Sequence, residues 1–401
     1  MTPTNGLKLI SLIPGCGYGD GSCQYAAGLE AIGVPVSWLP VRDDSADLLP
    51  RSIATNDIPH PIRSKLEALY NRKIDASAFL LEVPPYRWND HWLQAEPDLR
   101  PYCRVAWETD RLPSQWLNVL NGYERIFVPS NFNKSVFENN GITAPVQVVP
   151  HIAREMVPSD TSLNLGQITE EDFVFYTIGA WTTRKNMETT IRAFLDGFTH
   201  DDPVALVVKT EVFDQVALGQ ATPVQRNSSE SIRLSTAWAL AKILSDYPQP
   251  AKVHLISGRI CPGQIDQLHQ RGDCFISLSH SEGWGLGAFE AALAANPVVI
   301  TGWGGQLDFL GRDYPLLVDF DLRCTSAYPA DGFFLHADDA SWAAPRRSHA
   351  TELMRAVFQS NQSDRRWAST RASALKEQYS AENVCTDLAR AMGLQNVRHS
   401  R

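Results

Sequence analysis

Short apolar runs alternate along this chain with longer stretches whose apolar positions recur at helical spacing. That alternation points to an α/β protein with parallel sheets, because parallel neighbours need a crossover and a helix is its usual form. Leu7–Ile13, Val34–Leu39, Ala78–Val83, Tyr102–Trp107, Arg125–Val128 and Val146–Val149 read as strands of a first half. A Gly-rich loop, Gly15–Gly21, follows the first strand, and a helix is expected from Ser22 to Ile32, stopped by Gly33. Ser130 or Asn131 caps a second helix, which runs to Asn139 and is closed by Gly141. The stretch from Arg154 to Asp172, with Pro158, Ser159, Asp160 and Gly166, has the composition of a linker.

Beyond it the rhythm restarts. Phe173–Ile178, Val204–Lys209, Val253–Ser257, Cys274–Ser277 and Val298–Thr301 read as strands and Met187–Leu195 as a helix. Ala340–Ser360 and Arg365–Met392 carry apolar positions at helical spacing. A chain of 401 residues exceeds the roughly 250–300 that one core serves. The expected division is 1–160 and 161–375, with 376–401 as a helix able to pack back on the first half.

The charge balance narrows the partners. Lys plus Arg total 36 against 45 Asp plus Glu, a net charge of −9, which argues against bulk nucleic-acid binding. Peripheral contact with a membrane finds little support, because the chain is acidic and carries no long basic amphipathic helix. No apolar run approaches the roughly 20 residues of a membrane span. The N-terminus does not read as a secretory signal. Seven cysteines without CxxC pairs suggest reduced thiols and a cytoplasmic chain.

Three segments could carry chemistry. Ser281–Glu290 places Glu282 and Glu290 eight positions apart around Gly283, Trp284, Gly285 and Leu286, between a strand and a helix. Glycines there let a ligand approach the backbone, and the helix start offers N–H groups and a positive dipole end. One acid could meet sugar hydroxyls and the other a ribose; the plain alternative is a turn with both acids solvated. Gly179–Asn186 brings Arg184 and Lys185 to a strand-to-helix loop, one fork of donors and one point charge suited to a diphosphate. A solvated basic turn is the alternative, weakened because open α/β sheets bind ligands at the carboxyl ends of strands. Gly304 and Gly305, after the strand Val298–Thr301, could free backbone amides for the same phosphates.

Taken together and in this order, over about 130 residues, the three segments resemble the nucleotide-binding half of retaining GT-B glycosyltransferases, specifically family 4. Its E-x7-E pattern is matched by Glu282 and Glu290, its G-x4-R-K-N loop by Gly179–Asn186. Its G-G-x-x-E loop is matched by Gly304–Asp308, with Asp308 in place of Glu. Trp107–Pro113 and Val128–Phe132 also look like bacterial members. The resemblance implies two Rossmann-like domains facing a cleft, C-terminal helices, and metal-independent transfer of a sugar from a nucleoside diphosphate to a hydroxyl acceptor.

It implies roles too. Arg184, Lys185 and Glu282 form the catalytic set: the cations neutralise the leaving diphosphate and Glu282 faces the donor sugar. Glu290 holds the ribose, and Gly17 and Gly19 approach the phosphates from across the cleft. Arg259 and Ile260 lie near the base. Glu108, Thr109 and Asp110 stand where many relatives have a histidine near the sugar; a helix N-cap before Pro113 is the alternative for Thr109 and Asp110. The implied chemistry is front-face substitution, with the departing phosphate deprotonating the acceptor.

Competing signals weigh less. The loop Gly15–Gly21 suggests a NAD-dependent oxidoreductase, with Asp43 on a ribose, but Asp20 takes the place of the third glycine of G-x-G-x-x-G. A catalytically silent nucleotide-sugar-binding subunit is the other alternative. Asp319-Phe320-Asp321 is a DxD without a nucleotide motif beside it, and the ten histidines lack zinc spacing, so no metal is expected. His151 and His280 are read as structural. Trp181, Trp284 and Trp303 fall in the ligand loops, where stacking on a sugar or base competes with core packing.

Overall fold

The structure, a computed structural model, describes residues 6–12, 17–41, 60–84, 91–227, 229–330, 339–360 and 363–394. Gly15, Cys16 and Asp43 lie outside them. Two six-stranded parallel sheets dominate. The first contains β1 (Gly6–Leu12), β2 (Val36–Val41), β3 (Ala76–Glu82), β4 (Arg100–Arg104), β5 (Arg125–Val128) and β6 (Val146–Val148), in the order β2-β1-β3-β4-β5-β6. The second contains β7 (Phe173–Ile178), β8 (Val204–Thr210), β9 (Lys252–Ser257), β10 (Cys274–Ser277), β11 (Val298–Thr301) and β12 (Leu317–Val318), in the order β12-β11-β10-β7-β8-β9.

Both faces of the central strands are covered by helices, which is why β3 and β8 read as nearly continuous apolar runs rather than as alternations. Each sheet reverses its direction of growth once, between β1 and β3 in the first half and between β7 and β10 in the second. Such reversals open a crevice at the carboxyl ends of the strands.

The terminal helices divide between the halves. Val384, Cys385, Leu388 and Ala389 of the helix Ala381–Ala391 share one core with Leu7, Tyr25, Leu29 and Trp38. Leu375 and Tyr379 instead join Trp284, Phe289 and Phe309 of the second half. Ser380 separates the two helices, its side chain accepting the Asn383 N–H, so Arg365–Met392 is not one continuous helix.

Two other elements depart from the sequence pattern. The first helix runs from Gly17 to Ala31, so Gly17, Gly19 and Gly21 lie in its opening turns rather than in a loop. Glycine is a poor helix former, but at Gly21 the turn is packed too closely for a larger residue. A Cβ on Gly21 would stand 2.9 Å from the His151 ring. Ser341–Pro345 is not helical: as β14 it pairs antiparallel with β13 (Phe320–Cys324), and a helix begins only at Arg347. Asp321 therefore sits in a strand, ion-paired with Arg346, rather than in a loop after the last strand.

Candidate functional site

The β7/β10 crevice gathers most of the sequence candidates. Asn186 closes the loop after β7 in the left-handed conformation (φ +51) and its amide donates to the Leu278 carbonyl at 2.9 Å, tying this loop to the one after β10. Arg184 and Lys185 thereby face Glu282. Lys185 Nζ lies 2.7 and 2.8 Å from the two Glu282 oxygens. Arg184 Nη1 donates to the Ser281 carbonyl at 2.7 Å and to Glu282 at 3.2 Å. From the first half Glu108 adds a second carboxylate, 3.5 Å from Arg184 Nη2.

The result is a balanced cluster of two cations and two carboxylates, with Arg184 and Glu282 only 9% and 7% exposed. Glu282 is thus clasped between the two cations, not turned freely toward a ligand. Burial pushes its carboxyl up, but Lys185 and Arg184 more than offset that and its pKa falls below the ordinary value. Burial raises Glu108, which Arg184 only partly opposes, and Glu282 adds to the rise. Burial lowers Lys185, against the pull of Glu282.

Two helix N-termini face each other beside this cluster. Gly285, at φ +89, turns the chain into the helix Leu286–Leu293 with no side-chain cap. A Cβ on Gly17, the first residue of the first-half helix, would stand 3.4 Å from the Leu286 side chain. Gly19 is buried two residues further in. The N–H groups and positive dipole ends at helix starts favour an anion.

Glu290 lies about one turn into its helix, not two. Its partner is one that periodicity and motif matching missed: Arg154, from the linker-like stretch, donates through Nε to Glu290 at 2.5 Å and through Nη1 and Nη2 to Asp266 at 2.9 and 2.7 Å. His269 Nε2 stands 3.5 Å from the other Glu290 oxygen. Burial would raise the Glu290 carboxyl, but Arg154 and then His269 outweigh it and bring it down to about 2. Because the folded value is depressed from 4.5, the ion pair's stabilisation is complete above about pH 4.5 and lost as pH falls toward 2. The urea-midpoint difference between the wild type and Glu290→Gln is therefore expected to stay constant from about pH 8 to 5 and to shrink below. A difference that grows on acidification would contradict the pairing.

Other candidates hold the halves together. The Gly305 N–H donates to the Glu282 carbonyl at 2.7 Å, and a Cβ on Gly305 would stand 1.9 Å from the Gly283 carbonyl oxygen. That amide is engaged with protein, not freed for a phosphate. Gly304, at φ +124, packs against the Glu282 backbone. Gly283 abuts Ala106, and its carbonyl accepts the Ser130 hydroxyl at 2.8 Å. Asp308 accepts from the Asn131 backbone and side-chain amides at 2.8 and 2.9 Å, so it points at the first half. Thr109 is buried with its hydroxyl on the Arg111 carbonyl, and Asp110 accepts the Ser341 N–H at 2.6 Å. Neither caps a helix, since the 3-10 turn Ser114–Trp116 has no side-chain cap; both clip backbone.

The tryptophans and histidines are mostly structural. Trp284 packs on Phe289, Phe309 and Tyr379 at 3% exposure, and Trp181 lies in the core around Phe194. Trp303 meets the Phe132 ring across the halves at 4.8 Å. His280 stacks on Trp342 and its Nδ1–H donates to the Ala343 carbonyl at 2.6 Å; His151 is buried against Gly21. Arg259 and Ile260 follow edge strand β9, Arg259 exposed. Among the described residues no cluster of three His, Cys, Asp or Glu is arranged to hold a metal, and no helix is long and apolar enough to cross a membrane.

No family model matches the sequence, and no curated protein matches it either. Solved structures do match. A sucrose-phosphate synthase from Thermosynechococcus elongatus superposes with a TM-score of 0.61 at 14% identity, over 96% of this chain and 98% of that one. A trehalose-6-phosphate structure from E. coli bound with UDP-2-fluoro glucose matches at 0.60 and 11%, over 96% and 98%. A glycosyltransferase from Rickettsia africae matches at 0.60 and 10%, over 97% and 98%. The fold is GT-B. At these identities the likeness establishes the architecture of two facing Rossmann-like sheets with C-terminal helices and leaves the family unresolved.

Proposed function

We propose that this chain is a retaining glycosyltransferase that moves a sugar from a nucleoside-diphosphate sugar to a hydroxyl acceptor without a metal. The observation that carries the reading is the convergence of Arg184 and Lys185 on Glu282, just before the uncapped start of the helix Leu286–Leu293 and beside the start of the first-half helix at Gly17. The UDP-2-fluoro glucose on the E. coli relative supports a nucleotide sugar as the occupant. An entering diphosphate competes with Glu282 and Glu108 for the two cations. Glu290 holds the ribose hydroxyls, and Arg259 and Ile260 lie toward the base.

The retention proposed here is by front-face substitution, with no covalent role given to Glu282. With both oxygens on Lys185, it is engaged as a counter-ion rather than poised as a nucleophile. The anomeric carbon–phosphate oxygen bond breaks, and the acceptor oxygen bonds to that carbon on the same face. The acceptor's proton passes to the departing phosphate, whose growing charge Arg184 and Lys185 neutralise.

The test is incubation with a panel of nucleoside-diphosphate sugars and hydroxyl acceptors, with the product anomer read by NMR. Donor-dependent release of nucleoside diphosphate, an unchanged anomeric configuration and full activity in EDTA are expected. An inverted product would overturn retention, and loss of activity in EDTA would overturn metal independence. Tight binding of NAD without binding of any nucleoside diphosphate would overturn the reading as a whole.

A further inference from the structure

Arg154 sits between β6 and β7, where the sequence offers only a linker, yet its guanidinium bridges two carboxylates beside the β7/β10 crevice. The end of its guanidinium is fixed on Asp266, whose Oδ2 also accepts the Val157 N–H at 2.7 Å. With that end anchored, a planar fork has one direction left for Nε, and it points at Glu290 Oε1. The arrangement leaves the two Glu290 oxygens unequal. Oε1 is taken at 2.5 Å, whereas Oε2 has His269 Nε2 at 3.5 Å and keeps lone pairs to offer. Exposure is unequal too: the Asp266 side chain is 3% exposed and that of Glu290 21%, so Glu290 is the more accessible of the two acids.

We propose that Arg154 is a positioning residue that aims one Glu290 oxygen at the ribose hydroxyls, and so sets the preference for ribonucleotides over 2′-deoxyribonucleotides. The proposal rests on Glu290 being the ribose contact. It assigns Arg154 no contact with the nucleotide. A carboxylate free to rotate would still accept a hydrogen bond, but it would bind a ribose and a deoxyribose with little difference, because a mobile acceptor must be ordered at the moment of binding.

The experiment is calorimetric titration of the full chain with UDP, GDP, CDP and ADP and with their 2′-deoxy forms. The wild type, Glu290→Gln, Arg154→Gln, Arg154→Lys and the Arg154→Gln/Glu290→Gln double variant are compared. Arg154→Lys keeps a charge beside Asp266 but cannot span both carboxylates, so it separates lost aim from lost stability. For the nucleotide that binds, the wild type is expected to prefer the ribo form about tenfold, as one hydrogen bond to a charged group allows. The preference should fall to near unity in Glu290→Gln and in both Arg154 variants, with the double variant no worse than either single one.

Loss of the preference in Glu290→Gln with its retention in both Arg154 variants would overturn the positioning role alone. Retention in Glu290→Gln would overturn the ribose reading and the proposal together. So would a wild type that binds none of the four nucleotides.

Discussion

Lys185→Ala is expected to lower turnover of the nucleoside-diphosphate sugar by about 10²–10³-fold while the protein stays folded. The magnitude is that of removing one preorganised donor from a site where charge grows in the transition state. Lys185 Nζ reaches Glu282 in the β7/β10 crevice, where its partial burial lowers its pKa and strengthens its field. Folding should survive because Glu282 keeps its contact with Arg184, so no buried carboxylate is stranded. Nucleoside diphosphate release under saturating donor gives the turnover, and the thermal midpoint checks the fold. A variant within tenfold of wild type, at an unchanged midpoint, would remove Lys185 from the catalytic set.

The largest expected loss of stability lies elsewhere, at Arg104→Met. Arg104 and Glu82 end neighbouring strands β4 and β3, and they form an ion pair at 2.5 Å with side chains 2% and 0% exposed. The guanidinium also lies 4.7 Å over the Tyr25 ring. Removing it leaves Glu82 buried without a counter-ion, which costs about 3–5 kcal/mol. Even in the intact pair burial holds the Glu82 carboxyl above its ordinary value, with Arg104 pulling against it. Without Arg104 the carboxyl rises further, so the deficit should shrink as pH falls and Glu82 takes up a proton. Urea titrations at about pH 7.5 and 5 measure both effects, and adding Glu82→Leu should recover most of the loss. A loss below about 1 kcal/mol at neutral pH would show that the pair is not a charged one.

These two sites were not equally visible in the linear chain. Arg184 and Lys185 announce themselves because they are adjacent, follow an apolar strand and precede a helix; all of that is local. Glu82 and Arg104 are separated by 22 positions, and each falls within a run that reads only as a strand. The same distinction separates Glu290, found by its spacing from Glu282, from Arg154, which sits 136 positions away in a polar stretch without periodicity. Asp308 is found by its motif position, but only the fold shows its carboxylate accepting from Asn131 and fastening the halves.

Secondary structure was legible where burial is repetitive. Arg125–Val128, Phe173–Ile178, Cys274–Ser277 and Val298–Thr301 are strands over the expected residues, since central strands of a parallel sheet must be apolar on both faces. It was misleading where a neighbour decides. Gly17–Gly21 reads as a loop because glycine is a poor helix former, yet it is helical, with Gly21 packed directly against the His151 ring. Ser341–Pro345 passes for the start of a helix until β13 arrives to pair with it.

Local order of residues along this chain was thus enough to establish an α/β protein of two parallel sheets and to place Arg184, Lys185, Glu282 and Glu290 on loops and helix starts at strand ends. Hydrophobic period and the residues flanking a strand are properties of short segments, readable without neighbours. Which carboxylate meets which cation was decided only by the fold. The Glu108–Arg184, Glu290–Arg154 and Glu82–Arg104 pairs each bring charges together across separate elements. Coulombic partners are chosen by distance through space, and no spacing along the chain encodes that distance.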